Sequence, residues 1–175
     1  TKIIGVARQG FSHEEYIALV KENVEKFTKE DICPDAWARF QARLDYSCVD
    51  MTNIDSYKTL KSHVDPKRIM VCYFATPPSL FGNICSGLKA AKMVDDSMRV
   101  VLEKPLGHDL ESSKVINDKV AEYFKESQIY RIDHYLGKET VQNLFALRFT
   151  NFIFEQLWDA KSIDNVQISI SETVG

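Results

Sequence analysis

The sequence predicts an α/β fold: an open, doubly wound parallel sheet, incomplete within this chain, followed by the start of an antiparallel α+β domain. Three observations carry that expectation. Arg68–Ala75 and Met98–Glu103 are nearly continuous apolar runs, the pattern of strands covered by helices on both faces. Helical segments alternate with such runs at a spacing suited to right-handed crossovers. Beyond Arg131 the rhythm changes, and Asn165–Ser171 sets Val166, Ile168 and Ile170 between polar neighbours, a period of two that marks a one-sided sheet.

Taken in order, Ile3–Ala7 is a short apolar strand. Ser12 with Glu15 three residues later is a capping box that opens a helix through about Lys29. Pro34 starts a second helix carrying Trp37, Phe40 and Leu44, and Asp45–Val49 reads as a strand. Thr52 and Asp55 are positioned to cap a helix that ends near His63, ahead of the breaker Pro66. Pro77-Pro78 ends the first long apolar run; a helix follows from about Ser79 to Lys92, and another from Asp109 to about Lys125 after the second run. Lys138–Arg148 and Asn151–Trp158 complete the helical segments. A boundary near Ser127 divides the chain into residues 1–127, part of an open-sheet domain, and 128–175, the start of a second, incomplete domain. Thr1 begins directly before a strand and Gly175 stops just after one, so both ends are expected to be cut.

At 175 residues, with 45% hydrophobic and 11% aromatic residues, the chain is long enough to bury a core. The formal net charge of -3 argues against broad attraction to nucleic acid or an anionic membrane, so any grip on phosphate must be local. The four cysteines, Cys33, Cys48, Cys72 and Cys85, form no C-x-x-C pair, which points to a reducing, cytoplasmic setting. No apolar stretch approaches the roughly 20 residues that span a bilayer, and no secretory leader pattern is present. The histidines stand apart from cysteines and from H-E-x-x-H spacing, so no metal is expected. The seven glycines form neither G-x-G-x-x-G nor a phosphate loop, and no G-x-S-x-G elbow occurs.

Ligands of open parallel sheets bind beyond the carboxyl ends of the strands. Those ends carry Arg8-Gln9, Asp50-Met51, Thr76-Pro77 and Lys104-Pro105-Leu106-Gly107. A guanidinium at the position of Arg8 suits a ribose 2′-phosphate, which favours NADP; a surface arginine is the plainer reading. Lys104, between Glu103 and Pro105, offers an ammonium to a substrate oxygen, or pairs with Glu103. The run Arg131-Ile132-Asp133-His134-Tyr135-Leu136-Gly137-Lys138-Glu139 crowds a carboxylate, an imidazole, a phenol and an ammonium at a helix start. Helical spacing brings Tyr135 and Lys138 onto one face, where a phosphate could touch both while His134 approaches from the loop. The alternative is that Asp133 caps the helix, His134 and Tyr135 pack, and Lys138 and Glu139 decorate the surface.

That run, continued by Val141-Gln142-Asn143-Leu144, closely resembles the signature of the glucose-6-phosphate dehydrogenase family. Gly5-Val6-Ala7-Arg8, Glu103-Lys104-Pro105-Leu106-Gly107 and Leu147-Arg148-Phe149-Thr150-Asn151 resemble the same family in the same order, so the likeness covers essentially the whole chain. The resemblance implies a Rossmann-like coenzyme domain and hydride transfer from glucose 6-phosphate to NADP, with NAD as the alternative. It implies that His134, Tyr135 and Lys138 bind the sugar phosphate, that Lys104 contacts sugar and nicotinamide, and that Arg8 faces the 2′-phosphate. Asp50 and Met51 would lie near the adenosine, and Pro77 would line the coenzyme cleft. Asp133 would orient and charge-stabilise a catalytic histidine that lies outside this chain.

The resemblance further implies a homodimer or homotetramer in the cytoplasm. Two departures stand out: Gln9 replaces the small hydroxyl residue common after the arginine, and Phe81 replaces a tyrosine found in some relatives. The rival functions are another Glu-Lys-Pro sugar or inositol oxidoreductase, and a non-catalytic sugar-phosphate-binding module. The fragment alone is expected to be inactive.

Overall fold

A computed structural model describes residues 1–28 and 31–169. The chain divides into two compact units, Thr1–Ile132 and a second that begins at Asp133.

In the first unit, β1 (Ile3–Ala7) leads to α1 (His13–Phe27), whose cap Ser12 accepts from the Glu15 amide while the Glu15 carboxylate accepts from the Ser12 amide. This is the expected capping box; Lys29, the expected helix end, lies outside the described residues. Next, α2 (Pro34–Gln41) has proline in its first turn, where the missing N–H costs nothing, and β2 (Leu44–Cys48) pairs parallel with β1. Leu44 therefore belongs to the strand and not to the helix before it.

The expected caps Thr52 and Asp55 are replaced. Asn53 accepts from the Asp55 amide to open a single 3-10 turn, and α3 (Tyr57–His63) grows from that turn with no side-chain cap. Thr52 instead donates its hydroxyl and amide to Asp50, a local turn that competes with helix capping.

The second sheet contains β3 (Val71–Phe74), β4 (Arg99–Leu102) and β5 (Ile129–Arg131), all parallel with β4 in the centre. β3 is shorter than its apolar run, since Arg68–Met70 precede the ladder. Between the strands, α4 (Phe81–Ala90) follows a 3-10 turn at Pro78–Leu80, and α5 (Leu110–Ala121) is capped by Asp109. β5 was not among the expected elements: three residues, Ile-Tyr-Arg, are too few to show a period. Its edge-strand geometry is fixed by the ladder to β4 and by the Ile132 amide donating to the Leu102 carbonyl at 2.9 Å.

The core lies between the second sheet and α3–α5: Tyr57, Phe74, Phe81, Leu88, Met98, Val100, Leu102 and Val120 are buried. Gly87 lets α4 approach Tyr57, because a Cβ there would overlap its ring. In the second unit, α6 (Glu139–Phe149) and α7 (Phe152–Leu157) pack together. Residues 165–169 form no strand, and the rest of the expected strand Asn165–Ser171 lies outside the described residues.

Candidate functional site

In the first unit, the expected coenzyme residues cluster at strand ends for local reasons. Arg8 follows β1, and the backbone around it is pinned: the Cys48 thiol donates to the Arg8 carbonyl at 3.4 Å, and the buried Tyr46 hydroxyl donates to the Gln9 carbonyl. Asp50 follows β2 and accepts from the Thr52 hydroxyl at 2.7 Å and the Thr52 amide at 2.9 Å. Those bonds first, with the nearby Arg8 guanidinium adding attraction, hold the Asp50 carboxyl below the usual carboxylate range. Arg8 thus lies close enough to Asp50 to attract its carboxylate. Met51 packs against the core cluster, and its carbonyl accepts from the buried Tyr57 hydroxyl at 3.4 Å.

Pro77 follows β3 and begins the 3-10 turn, its carbonyl accepting from the Leu80 amide at 2.9 Å. The neighbouring Thr76 hydroxyl is buried and has no hydrogen-bond partner among the described residues. Sequence reasoning passed over Thr76; the only signal was its place at a strand end, since a threonine among apolar residues more often packs through its methyl. A buried hydroxyl without a partner costs free energy, and Thr76 also lines the groove between β1 and β3, which makes it a ligand candidate.

Lys104 is exposed just after β4, and the Lys104-Pro105 bond is cis. The adjacent Glu103 carboxylate accepts from the Tyr73 phenol, which pushes the Tyr73 pKa up. Gly107, at φ 105°, closes the turn against α5, where a Cβ would stand 2.6 Å from the Ser113 nitrogen. This turn therefore requires glycine.

The second unit opens on the polar run. Asp133 accepts the Tyr135 amide at 3.0 Å, and the carbonyls of Asp133, His134 and Tyr135 accept from the amides of Leu136, Gly137 and Lys138. Asp133 thus stabilises this turn and not the first turn of α6, whose N-cap is Lys138. The rings of His134 and Tyr135 lie 4.9 Å apart, and the Lys138 ammonium sits 4.1 Å from the Tyr135 ring centroid. Gln142 on α6 donates to the Leu136 carbonyl and ties turn to helix. Imidazole, phenol and ammonium are therefore gathered at one helix N-terminus, a place suited to an anion.

Among the described residues, no group of three or more metal-ligating side chains is gathered, and no helix is long and apolar enough to cross a membrane.

Parallel strands linked by helices, with ionic and hydroxyl groups at their carboxyl ends, define a Rossmann-like α/β protein. The family described as "Glucose-6-phosphate dehydrogenase, NAD binding domain" matches residues 1–143, and "Glucose-6-phosphate dehydrogenase, C-terminal domain" matches residues 145–175. The chain belongs to the glucose-6-phosphate dehydrogenase family.

Among curated relatives, it is 49% identical to the glucose-6-phosphate 1-dehydrogenase of Dickeya dadantii (strain 3937), over 100% of this chain and 36% of that protein. It is 46% identical to the namesake of Gluconobacter oxydans (strain 621H), over 99% and 36%. The structure of glucose-6-phosphate 1-dehydrogenase from Mycobacterium avium superposes with a TM-score of 0.80 at 35% identity, covering 91% of this chain and 35% of that one. Another, glucose-6-phosphate dehydrogenase in complex with its substrate glucose-6-phosphate, gives 0.78 at 34% identity, covering 91% and 35%. The chain therefore spans about a third of the length of the relatives it matches.

Proposed function

We propose that this chain is a segment of an NADP-linked glucose-6-phosphate dehydrogenase, a cytoplasmic enzyme that oxidises D-glucose 6-phosphate to 6-phosphoglucono-δ-lactone. The observation that carries this reading is the gathering of His134, Tyr135 and Lys138 ahead of α6 in a chain of this family. A related structure is described as holding glucose 6-phosphate, which supports the same ligand here.

The chain through about Ser127 supplies the coenzyme side, and residues 128–175 begin the sugar-phosphate and oligomerisation side of a homodimer or homotetramer. The nicotinamide coenzyme, when bound, accepts the hydride from the anomeric carbon. Arg8 offers paired donors to a 2′-phosphate, which favours NADP over NAD. Asp50 and Met51 flank the adenosine, Pro77 lines the cleft, and the unsatisfied Thr76 hydroxyl is available to coenzyme. Lys104 holds a sugar oxygen near the nicotinamide. His134, Tyr135 and Lys138 bind the phosphate, with Lys138 supplying its charge. Asp133 orients a histidine base contributed from outside this chain, and that base takes the hydroxyl proton as hydride leaves.

The test is NADPH formation by the full-length protein with glucose 6-phosphate. Preference for unphosphorylated sugars or inositols, or no turnover at all, would overturn the assignment. The 175-residue chain alone should form no lactone, since the base is missing. In the full-length enzyme, Lys138→Ala should weaken sugar-phosphate binding by about 1.5–3 kcal/mol through loss of a charge-assisted contact. An unchanged affinity would remove Lys138 from the site.

A further inference from the structure

The loop that follows β1 is held from its inner side by two side chains of β2. Tyr46 pairs in register with Gly5 and is buried against α1, its ring stacked on Tyr16 at 4.9 Å and edge-on to Phe11 at 5.6 Å. A Cβ on Gly5 would overlap the Tyr16 ring, so glycine there lets α1 bring Tyr16 down onto Tyr46. From that seat the Tyr46 hydroxyl donates to the Gln9 carbonyl and stands 3.3 Å from the Ala7 carbonyl. The Cys48 thiol, on the same side of β2 because it is two residues further along, donates to the Arg8 carbonyl at 3.4 Å.

The carbonyls of Ala7, Arg8 and Gln9 therefore all have partners: the Val49 amide reaches the Ala7 carbonyl at 2.9 Å, and the Phe11 amide adds a bond to the Gln9 carbonyl at 3.2 Å. Outward, Arg8, Gln9 and Gly10 are exposed, and a Cβ on Gly10 would meet nothing within 4 Å. The loop is thus free on its solvent side and fixed on its inner side. An exposed arginine on a loose loop loses backbone and rotamer entropy when it grips an anion, whereas one whose backbone is already pinned loses less. Burial pushes the Tyr46 pKa up, so its phenol remains a donor at neutral pH. A tyrosine that only filled space against α1 would need no hydroxyl, since phenylalanine fills nearly the same volume.

We propose that Tyr46 and Cys48 are positioning residues for coenzyme choice: acting through the backbone of Arg8 and Gln9, they preorganise the Arg8 guanidinium for a ribose 2′-phosphate. This inference rests on the reading of Arg8 as the partner of that phosphate. It adds that discrimination between NADP and NAD is set from beneath the loop as well as on it. The 2′-hydroxyl of NAD carries no charge for Arg8 to meet, so loosening the loop penalises NADP alone.

The test titrates NADP and NAD into the full-length protein carrying Tyr46→Phe, which keeps the ring and its stacking. NADP should bind about three- to tenfold more weakly, the fold-change that one neutral hydrogen bond carries, with NAD binding unchanged. Cys48→Ala, at an exposed position that leaves the core intact, should act in the same sense, and Cys48→Ser should restore NADP binding. In an Arg8→Ala background the Tyr46→Phe effect should vanish, because the loop then has no guanidinium to aim. Equal weakening of both coenzymes, or a full Tyr46→Phe effect in the Arg8→Ala background, would overturn the proposal by reducing Tyr46 to packing. Unchanged NADP binding in Tyr46→Phe and Cys48→Ala, with selective loss of NADP in Arg8→Ala, would overturn it and leave the reading of Arg8 standing. If Arg8→Ala does not weaken NADP selectively, that reading fails and the inference fails with it.

Discussion

Lys138 and Thr76 illustrate how single groups acquire meaning from their surroundings. The Lys138 ammonium lies against the Tyr135 ring, a contact that restrains a flexible side chain at the turn before α6. The Thr76 hydroxyl is buried without a partner. Thr76→Val keeps the shape and removes the unsatisfied group, so the free chain should be unchanged or up to about 1 kcal/mol more stable in urea unfolding. Coenzyme binding by the full-length enzyme should weaken about five- to tenfold, as expected for one lost hydrogen bond of about 1 kcal/mol. A stability loss with coenzyme affinity intact would show that Thr76 only packs.

Asp45 carries a different expectation. Burial raises its pKa, but the Lys2 ammonium at 2.6 Å, His63 Nδ1 at 2.8 Å and the Tyr46 amide outweigh burial and hold it well below the usual carboxylate range. A depressed folded pKa stabilises above the unfolded value near 4 and loses that contribution as pH falls further. Asp45→Asn should therefore cost about 1–2 kcal/mol at pH 7, discounted because Lys2 is half exposed, with the gap from the parent narrowing below about pH 4. Equal gaps at pH 7 and pH 3 in denaturant titrations would rule out the ionic contribution.

At the scale of elements, local chemistry and packing share the decisions. The Ser12–Glu15 capping box is legible in sequence because both partners sit three residues apart on one strand of chain. The start of α3 is not: Thr52 has the right chemistry for a cap, but Asp50 takes its hydroxyl and amide, and Asn53 opens the preceding turn instead. Gly107 links β4 to α5 at φ 105° with the Ser113 backbone close by. Gly107→Ala should destabilise the chain by about 1–3 kcal/mol, since both the dihedral and the space are wrong for a Cβ. It should also move the Lys104 turn. A thermal unfolding midpoint equal to the parent's would show that the turn relaxes freely.

Across the whole molecule, burial is uneven. β4 is paired on both sides and its Val100 and Leu102 are fully buried, whereas α6 and α7 contain no buried residue. Cys85 is fully buried in α4, and burial pushes its thiol pKa up to about 12, so it stays protonated and shielded at neutral pH. Thiol reagents should label exposed Cys33 and Cys48 in the native chain and reach Cys85 only on unfolding; rapid native labelling of Cys85 would contradict this packing. The sequence alone determined the parallel α/β class, the order of helices and most strands, and the polar run at Asp133–Lys138, because periodicity, caps and dense polar clusters are local properties of a chain. Only the tertiary structure decided that Ile129–Arg131 is a strand, that Arg8 lies near Asp50, that Thr76 is left unsatisfied and that β1 and β3 border one groove. Those facts depend on which distant segments become neighbours, and the free energy of ladders and buried polar groups is set by that neighbourhood.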